Sequence, residues 1–299
     1  MGRPKRIQFA GACYFISLQG NNRQDIFLSN SDRRFFVSLL RGYKARYDLK
    51  VYAYCLMPAS VNLLVETGQA NLSLVMQGFN TVYTKYFNAE HHTSGHVFQG
   101  RYKALVVDKE HFLMDMTGYV HLAPARAGLP ERPWRYQWSS CAAYVESDLR
   151  EPLVESGPIL KRFGKSRLIQ SVKYTKYIKE RLKMAGQWTP PVSRGFAIGD
   201  EAFAAKVEAS PEAPDEGAQS HDAARKIIAE VAAKNGMDEA KLLGRSQWRE
   251  ITAVRREAIH RVWKEAKLGI TEIGRLFNRT PSAISQLIRA LENPSNSQY

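Results

Sequence analysis

At 299 residues the chain is long enough for two domains, each with its own core. Apolar content is 44%, and no uninterrupted apolar run approaches the roughly 20 residues that cross a bilayer, so no membrane partner is predicted. A net charge of +14 favours a polyanionic partner, and nucleic acid is the simplest one for a cytoplasmic protein. The three cysteines, Cys13, Cys55 and Cys141, are too few and too scattered for a disulfide framework or a zinc site. They read as reduced core residues and predict a cytoplasmic location. Met1–Phe15 has basic residues but no long apolar segment, so no secretory signal is predicted.

In chain order, Ala10–Leu18 reads as a strand ending in a Gly-Asn turn at Gly20–Gln24, where Arg23 and Gln24 are candidate contacts to nucleic acid. Ser31-Asp32 then caps a helix over Arg33–Tyr47, with Phe35, Phe36, Leu39, Leu40 and Tyr43 on one side. Tyr52–Glu66 is the most apolar stretch of the first half, and Pro58 divides it into strands Val51–Met57 and Val61–Glu66. In the second strand Ser60 and Asn62 share one face, either hydrogen-bonded within the sheet or serving a site.

A second helix spans Leu72–Glu90. His91, His92 and His96 follow in a glycine-containing loop, where nothing fixes a chelating geometry. Gln99, Arg101 and Lys103 stand beside Phe98 and Tyr102, a mix suited to phosphate contact and base stacking. Lys109–Tyr119 is a third helix. Glu151–Gly186 reads as a helical extension with a basic amphipathic helix over Arg167–Lys183.

Thr189–Gly217 carries Pro190, Pro191, Pro211 and Pro214 among small and acidic residues and is predicted to be linker. Five helices follow, over Ala223–Asn235, Asp238–Leu243, Ile251–Ala266, Thr271–Phe277 and Pro281–Leu291. A tight Asn278–Thr280 turn with Pro281 opening the last helix predicts a helix-turn-helix pair. Ile273, Leu276, Ile284, Leu287 and Ile288 would hold that pair together. Ser282, Ser285, Gln286 and Arg289 would face a DNA groove.

Several motifs in order carry a resemblance. They are Gly20–Gln24 (GNNRQ), Leu56–Glu66 (LMPASVNLLVE), Gly95–Lys103 (GHVFQGRYK), Tyr119–Gly128 (YVHLAPARAG) and Trp138-Ser139-Ser140. Together they resemble the REP-associated tyrosine transposases of the single-tyrosine HUH superfamily. That family usually reads LMPNHVHLLVE on its core strand, and its two histidines chelate a divalent metal. Here those two positions are Ser60 and Asn62, the preceding Asn is Ala59, and the Asn of the family's NPVRA motif is Ala123.

The resemblance implies an α+β fold, a ferredoxin-like antiparallel sheet with packed helices. It implies Tyr119 as nucleophile, a DNA-facing role for Arg126, hairpin or single-stranded repeat DNA as partner, and a homodimer. Mg²⁺ or Mn²⁺ is implied only if the chain cleaves DNA. Ser and Asn are poor replacements for imidazole, so two outcomes stand. Either nuclease chemistry is weakened or lost and DNA binding is kept, or the chain is an active transposase whose metal is held by Asn62, Glu66 or His121. An RNA hairpin is a weaker third reading.

The C-terminal helices resemble the DNA-binding domain of the bacterial replication initiator, which adds Arg255 and Arg256 as contacts to duplex DNA. The predicted organisation is a transposase-like domain over 1–186, an acidic linker over 187–220, a helix-turn-helix domain over 221–293 and a tail over 294–299.

Overall fold

The computed structural model describes residues 7–129, 132–210, 216–244, 246 and 248–292, so the predicted tail at 294–299 lies outside the described residues. The chain divides into two compact units, Met1–Ala213 and Pro214–Tyr299.

The first unit is built on a sheet of six strands. They are β1 (Cys13–Gln19), β2 (Leu49–Met57), β3 (Ser60–Thr67), β4 (Lys103–Val107), β5 (Val192–Ser193) and β6 (Ala197–Ile198), in the order β2-β3-β1-β4-β6-β5. The first four pair antiparallel in the ferredoxin-like order. Helix α1 (Asn30–Tyr47) joins β1 to β2, and α2 (Leu72–Glu90) precedes β4.

Side chains alternate across a strand. Ile16, Leu63 and Val65 therefore face one way, where they surround a small apolar space with Leu40 and Tyr43 of α1 and Met76 and Phe79 of α2. The two helices are joined by aromatic contacts, including Phe35 stacked on Tyr86 at 3.8 Å and Phe36 edge-on to Phe79 at 4.8 Å. The opposite face carries Phe15, Asn62 and Glu66. Helix α3 (Lys109–His121) lies on it, with Tyr119 edge-on to Phe15 at 5.7 Å. Short helices α4 (Ala123–Arg126), α5 (Ala142–Val145) and α6 (Gly157–Leu160) lead to α7 (Arg167–Leu182).

Two local expectations change. Helix α1 is capped by Ser29, not Ser31-Asp32. The Ser29 hydroxyl accepts from Asp32 N–H, and the Asp32 carboxylate accepts from the Ser29 and Leu28 amides, a reciprocal capping box. Ahead of β4 the chain runs as a loop alongside β1. Gly100 sits at φ 65, a left-handed turn that interrupts the ladder between β4 and an isolated antiparallel bridge of Phe98 with Gly20.

The segment 187–220, expected to be linker, is structured for much of its length. Strand β6 pairs parallel with β4, β5 pairs with β6, and α8 (Glu201–Glu208) follows, capped by Asp200. The sheet is thus mixed rather than wholly antiparallel. Pro190 and Pro191 lie just before the edge strand, where a missing N–H costs nothing.

The second unit is all helical. It comprises α9 (Glu216–Lys234), α10 (Glu239–Leu243), α11 (Arg249–Arg261), α12 (Ile270–Leu276) and α13 (Pro281–Glu292). A π turn over Val262–Ala266 ends the helix predicted to run unbroken through Ala266. Ile228, Val231, Ile259, Val262, Ile273, Phe277, Ile284 and Ile288 are the core. Among the described residues no helix is long and apolar enough to cross a membrane.

Candidate nucleic-acid interface

Register places the predicted residues at one end of the first sheet. A cross-strand row runs Cys55–Asn62–Ser17–Lys103 through β2, β3, β1 and β4. Ser60 lies opposite Gln19 and Met57, one pair nearer the edge. The next row inward runs Ala53–Leu64–Phe15–Leu105. Tyr119 rests on Phe15, so the tyrosine and positions 60 and 62 share the same face and the same half of the sheet.

Tyr119 is half-buried in the last turn of α3. Trp188 meets its ring edge-on at 5.6 Å, and the Arg126 guanidinium lies 3.5 Å from its centroid. Arg126 also donates to the Tyr119 carbonyl at 2.5 Å. Burial lowers the Arg126 pKa, yet a guanidinium stays charged in a protein. Arg126, expected to touch DNA, is half-buried against the Tyr119 ring.

The donor set does not fit a divalent metal. Ser60 and Asn62 offer one hydroxyl and one carboxamide, both half-buried. Glu66 shares their face but lies at the far end of β3, opposite Cys13. Its carboxylate accepts from Lys50 (2.8 Å), Lys109 (2.7 Å) and the Tyr52 hydroxyl (2.6 Å). Burial acts to raise its pKa, but these three donors outweigh it and bring the pKa down to about 2.

His121 is fully buried. Its Nδ1 meets the Tyr174 hydroxyl and its Nε2 the Ser140 hydroxyl, each at 2.8 Å, and burial lowers its pKa to about 3. Neither Glu66 nor His121 can serve as the substitute ligand. His91 is spent on Asp32 at 2.9 Å. Among the described residues no group of three or more His, Cys, Asp or Glu is arranged to hold a metal ion.

The loop after β1 and the segment before β4 form one basic rim. Asn21 N–H donates to Val97 O and Gln99 N–H donates to Gln19 O, which zips the two together. Arg23, Gln24, Gln99, Arg101 and Lys103 are all exposed along that rim. The Gln19 side chain donates to Ala59 O at 2.9 Å and ties the rim to the turn before Ser60.

In the second unit Ser282, Gln286 and Arg289 are exposed along α13, Ser285 is half-buried, and Arg256 is exposed on α11. Arg255 is different. It is 4% exposed and donates to the carbonyls of Leu242 (2.6 Å), Ser246 (2.8 Å) and Lys241 (3.0 Å). The expectation of a DNA contact there is corrected. The guanidinium satisfies the end of α10, because buried carbonyls need donors.

Trp188, beside a run of prolines in the segment expected to be linker, packs on Tyr119 without having been singled out by the sequence. A lone tryptophan in such a segment was the available signal.

Residues 12–122 match the family model described as IS200-like transposase. Over that span, about a third of its length, the chain is similar to IS200-like transposases. The match takes in Ser60, Asn62, Tyr119 and the whole basic rim, and ends before Arg126, Trp188 and the second unit. A solved structure of a REP-associated tyrosine transposase bound to a REP hairpin is 15% identical, with a TM-score of 0.43 over 53% of this chain and 93% of that one. No curated protein matches the chain. Within the matched residues, β3, β4 and α3 carry Ser60, Asn62, Lys103 and Tyr119, and the loop after β1 and the segment before β4 carry the rest of the rim.

Proposed function

We propose that this chain is a DNA-binding protein in which an IS200-like transposase domain recognises hairpin or single-stranded DNA and strand cleavage is weakened or lost. The basic rim of Arg23, Arg101 and Lys103 would contact phosphates, with Gln24 and Gln99 beside it. Helix α13 would contact duplex DNA through Ser282, Gln286 and Arg289.

One observation carries the reading. Tyr119 is held on the same face as positions 60 and 62, yet those positions are Ser and Asn, and the Glu66 carboxylate and His121 imidazole are already engaged. Attack of a tyrosine oxygen on a phosphodiester forms a phosphotyrosine and releases a 3′-hydroxyl. A neutral phenol is a weak nucleophile, and the charge that builds on the phosphate needs a cation.

A second reading, an active transposase with metal supplied in another way, is favoured by one feature. Tyr119 is retained and clasped by Arg126, a fixed positive charge beside the ring.

Incubation of the purified chain with labelled hairpin DNA and Mg²⁺ or Mn²⁺, beside Tyr119→Phe, separates the two. Salt-sensitive binding without a covalent adduct supports the binding protein. A metal-dependent adduct that vanishes in the Phe variant overturns it. Preference for the matching RNA hairpin would move the partner to RNA.

A further inference from the structure

Beside Tyr119 lies a pocket of about 290 Å³ that is walled in part by residues beyond the transposase match. Tyr119 and Trp188 form two of its sides, with rings 62° apart. Arg126 covers the Tyr119 ring, and the Arg181 guanidinium lies 5.4 Å from the Trp188 centroid. Met184, an exposed and deformable side chain, and Glu180 complete the mouth.

The volume is at the low end of small-ligand pockets, which run roughly 300–1,000 Å³. It suits a single planar group rather than a folded stem. The polar groups argue against a phosphate. Arg181 is committed edge-on to Asp115 at 2.5 Å and Arg126 to the Tyr119 carbonyl. Glu180, an exposed lining residue 4.0 Å from the Lys176 ammonium, adds a carboxylate that would disfavour an anion and could accept from an amino or imino N–H. What remains for a ligand is flat aromatic and guanidinium surface, the chemistry that stacks nucleobases.

Position adds to this. Phe15, under Tyr119, is two residues from Ser17, which lies opposite Lys103 of the rim. The Tyr119 wall of the pocket thus stands on the same sheet face as Lys103.

We propose that this pocket takes one unpaired nucleobase of a single-stranded segment, stacked against Trp188. The proposal rests on the DNA-binding reading above and adds where one base goes. It makes the C-terminal extension part of the recognition surface, and it gives Tyr119 a use that needs no metal.

The test uses the full chain and a hairpin with a single-stranded extension. An abasic site is moved along the extension one position at a time, and affinity is measured by fluorescence anisotropy. A 2-aminopurine placed at the sensitive position reports stacking.

One position should lose affinity by about 10-fold when abasic, as stacking of a single base predicts. 2-Aminopurine there should be quenched by the wild type and not by Trp188→Ala. Trp188→Ala should cost the same factor on intact DNA and nothing further on the abasic DNA. Trp188→Phe should retain most of the affinity.

Tight binding with no sensitive position, or equal affinity of the Ala variant, overturns the pocket and leaves the DNA-binding reading intact. No binding of any DNA at low salt overturns both. The abasic scan on the wild type decides even if Trp188→Ala does not fold.

Discussion

Glu66 lies on the strand and face where a carboxylate could have rescued a metal site, but it is engaged elsewhere. Three donors hold its pKa near 2, below its ordinary 4.5. The folded state therefore binds this proton less readily than the unfolded state. The resulting stability is fully present above about pH 4.5 and is lost as pH falls toward 2. Glu66→Gln should cost about 2 kcal/mol at pH 7, since it strands two lysines that can still reach water. Urea denaturation at pH 7 and pH 3 checks the sign, because the difference between variant and wild type should shrink in acid.

His121 behaves differently from an exposed histidine. Burial keeps its imidazole neutral, with a pKa near 3, whereas Asp108 raises that of His111 through a hydrogen bond. In an NMR pH titration the His121 ring should stay neutral at pH 5, where His111 is already protonated. A His121 midpoint near 6.5 would contradict the buried Tyr174–His121–Ser140 chain. The occupants of this site, Tyr119, Ser60 and Asn62, were legible because the motif around them survives. The fates of Glu66, His121 and Arg255 were not. Whether a polar side chain meets solvent or a buried partner is set by residues far along the chain, such as Lys109, Tyr174 and Lys241.

At the scale of elements, the turn between α12 and α13 depends on a missing side chain. A Cβ on Gly274 would come within 2.8 Å of the Arg279 carbonyl, a backbone atom that cannot swing aside. Asn278 in the same turn is left-handed, at φ 55. Gly274→Ala should therefore push the two helices apart at a cost of about 1–3 kcal/mol. Hydrogen exchange in α12 and α13 should accelerate, and duplex affinity should fall while hairpin affinity is unchanged. Unaltered exchange would mean that the turn relaxes without moving the helices.

Long helices such as α13, and α2 with its bounds at Leu72 and Glu90, were legible because an apolar stripe repeats over several turns. β5 and β6 were not. Two-residue strands have no period to detect, and their place in the sheet is set by pairing with β4 rather than by their own composition.

Charge at the scale of the whole molecule is divided unequally. Residues 1–199 hold 28 basic and 14 acidic side chains, residues 200–220 hold 1 and 6, and residues 221–299 hold 14 and 9. Two basic units separated by an acidic stretch should bind different forms of DNA with separable salt dependences. Each phosphate contact contributes about 0.7 to the log–log salt slope on a single strand and about 0.9 on duplex.

The triple variant Arg23→Ala, Arg101→Ala, Lys103→Ala should thus lower the slope for single-stranded extension DNA by about 2. It should leave the slope for a blunt duplex unchanged. Arg256→Ala with Arg289→Ala should do the reverse, lowering the duplex slope by about 2. Arg255→Ala should behave unlike either variant, because its guanidinium is spent on three carbonyls. It should destabilise the second unit rather than alter the number of phosphates engaged. Anisotropy titrations at several salt concentrations read all three. If the rim and α13 variants lower both slopes equally, the two units share one DNA site. The chain would then act as a single continuous reader rather than as two.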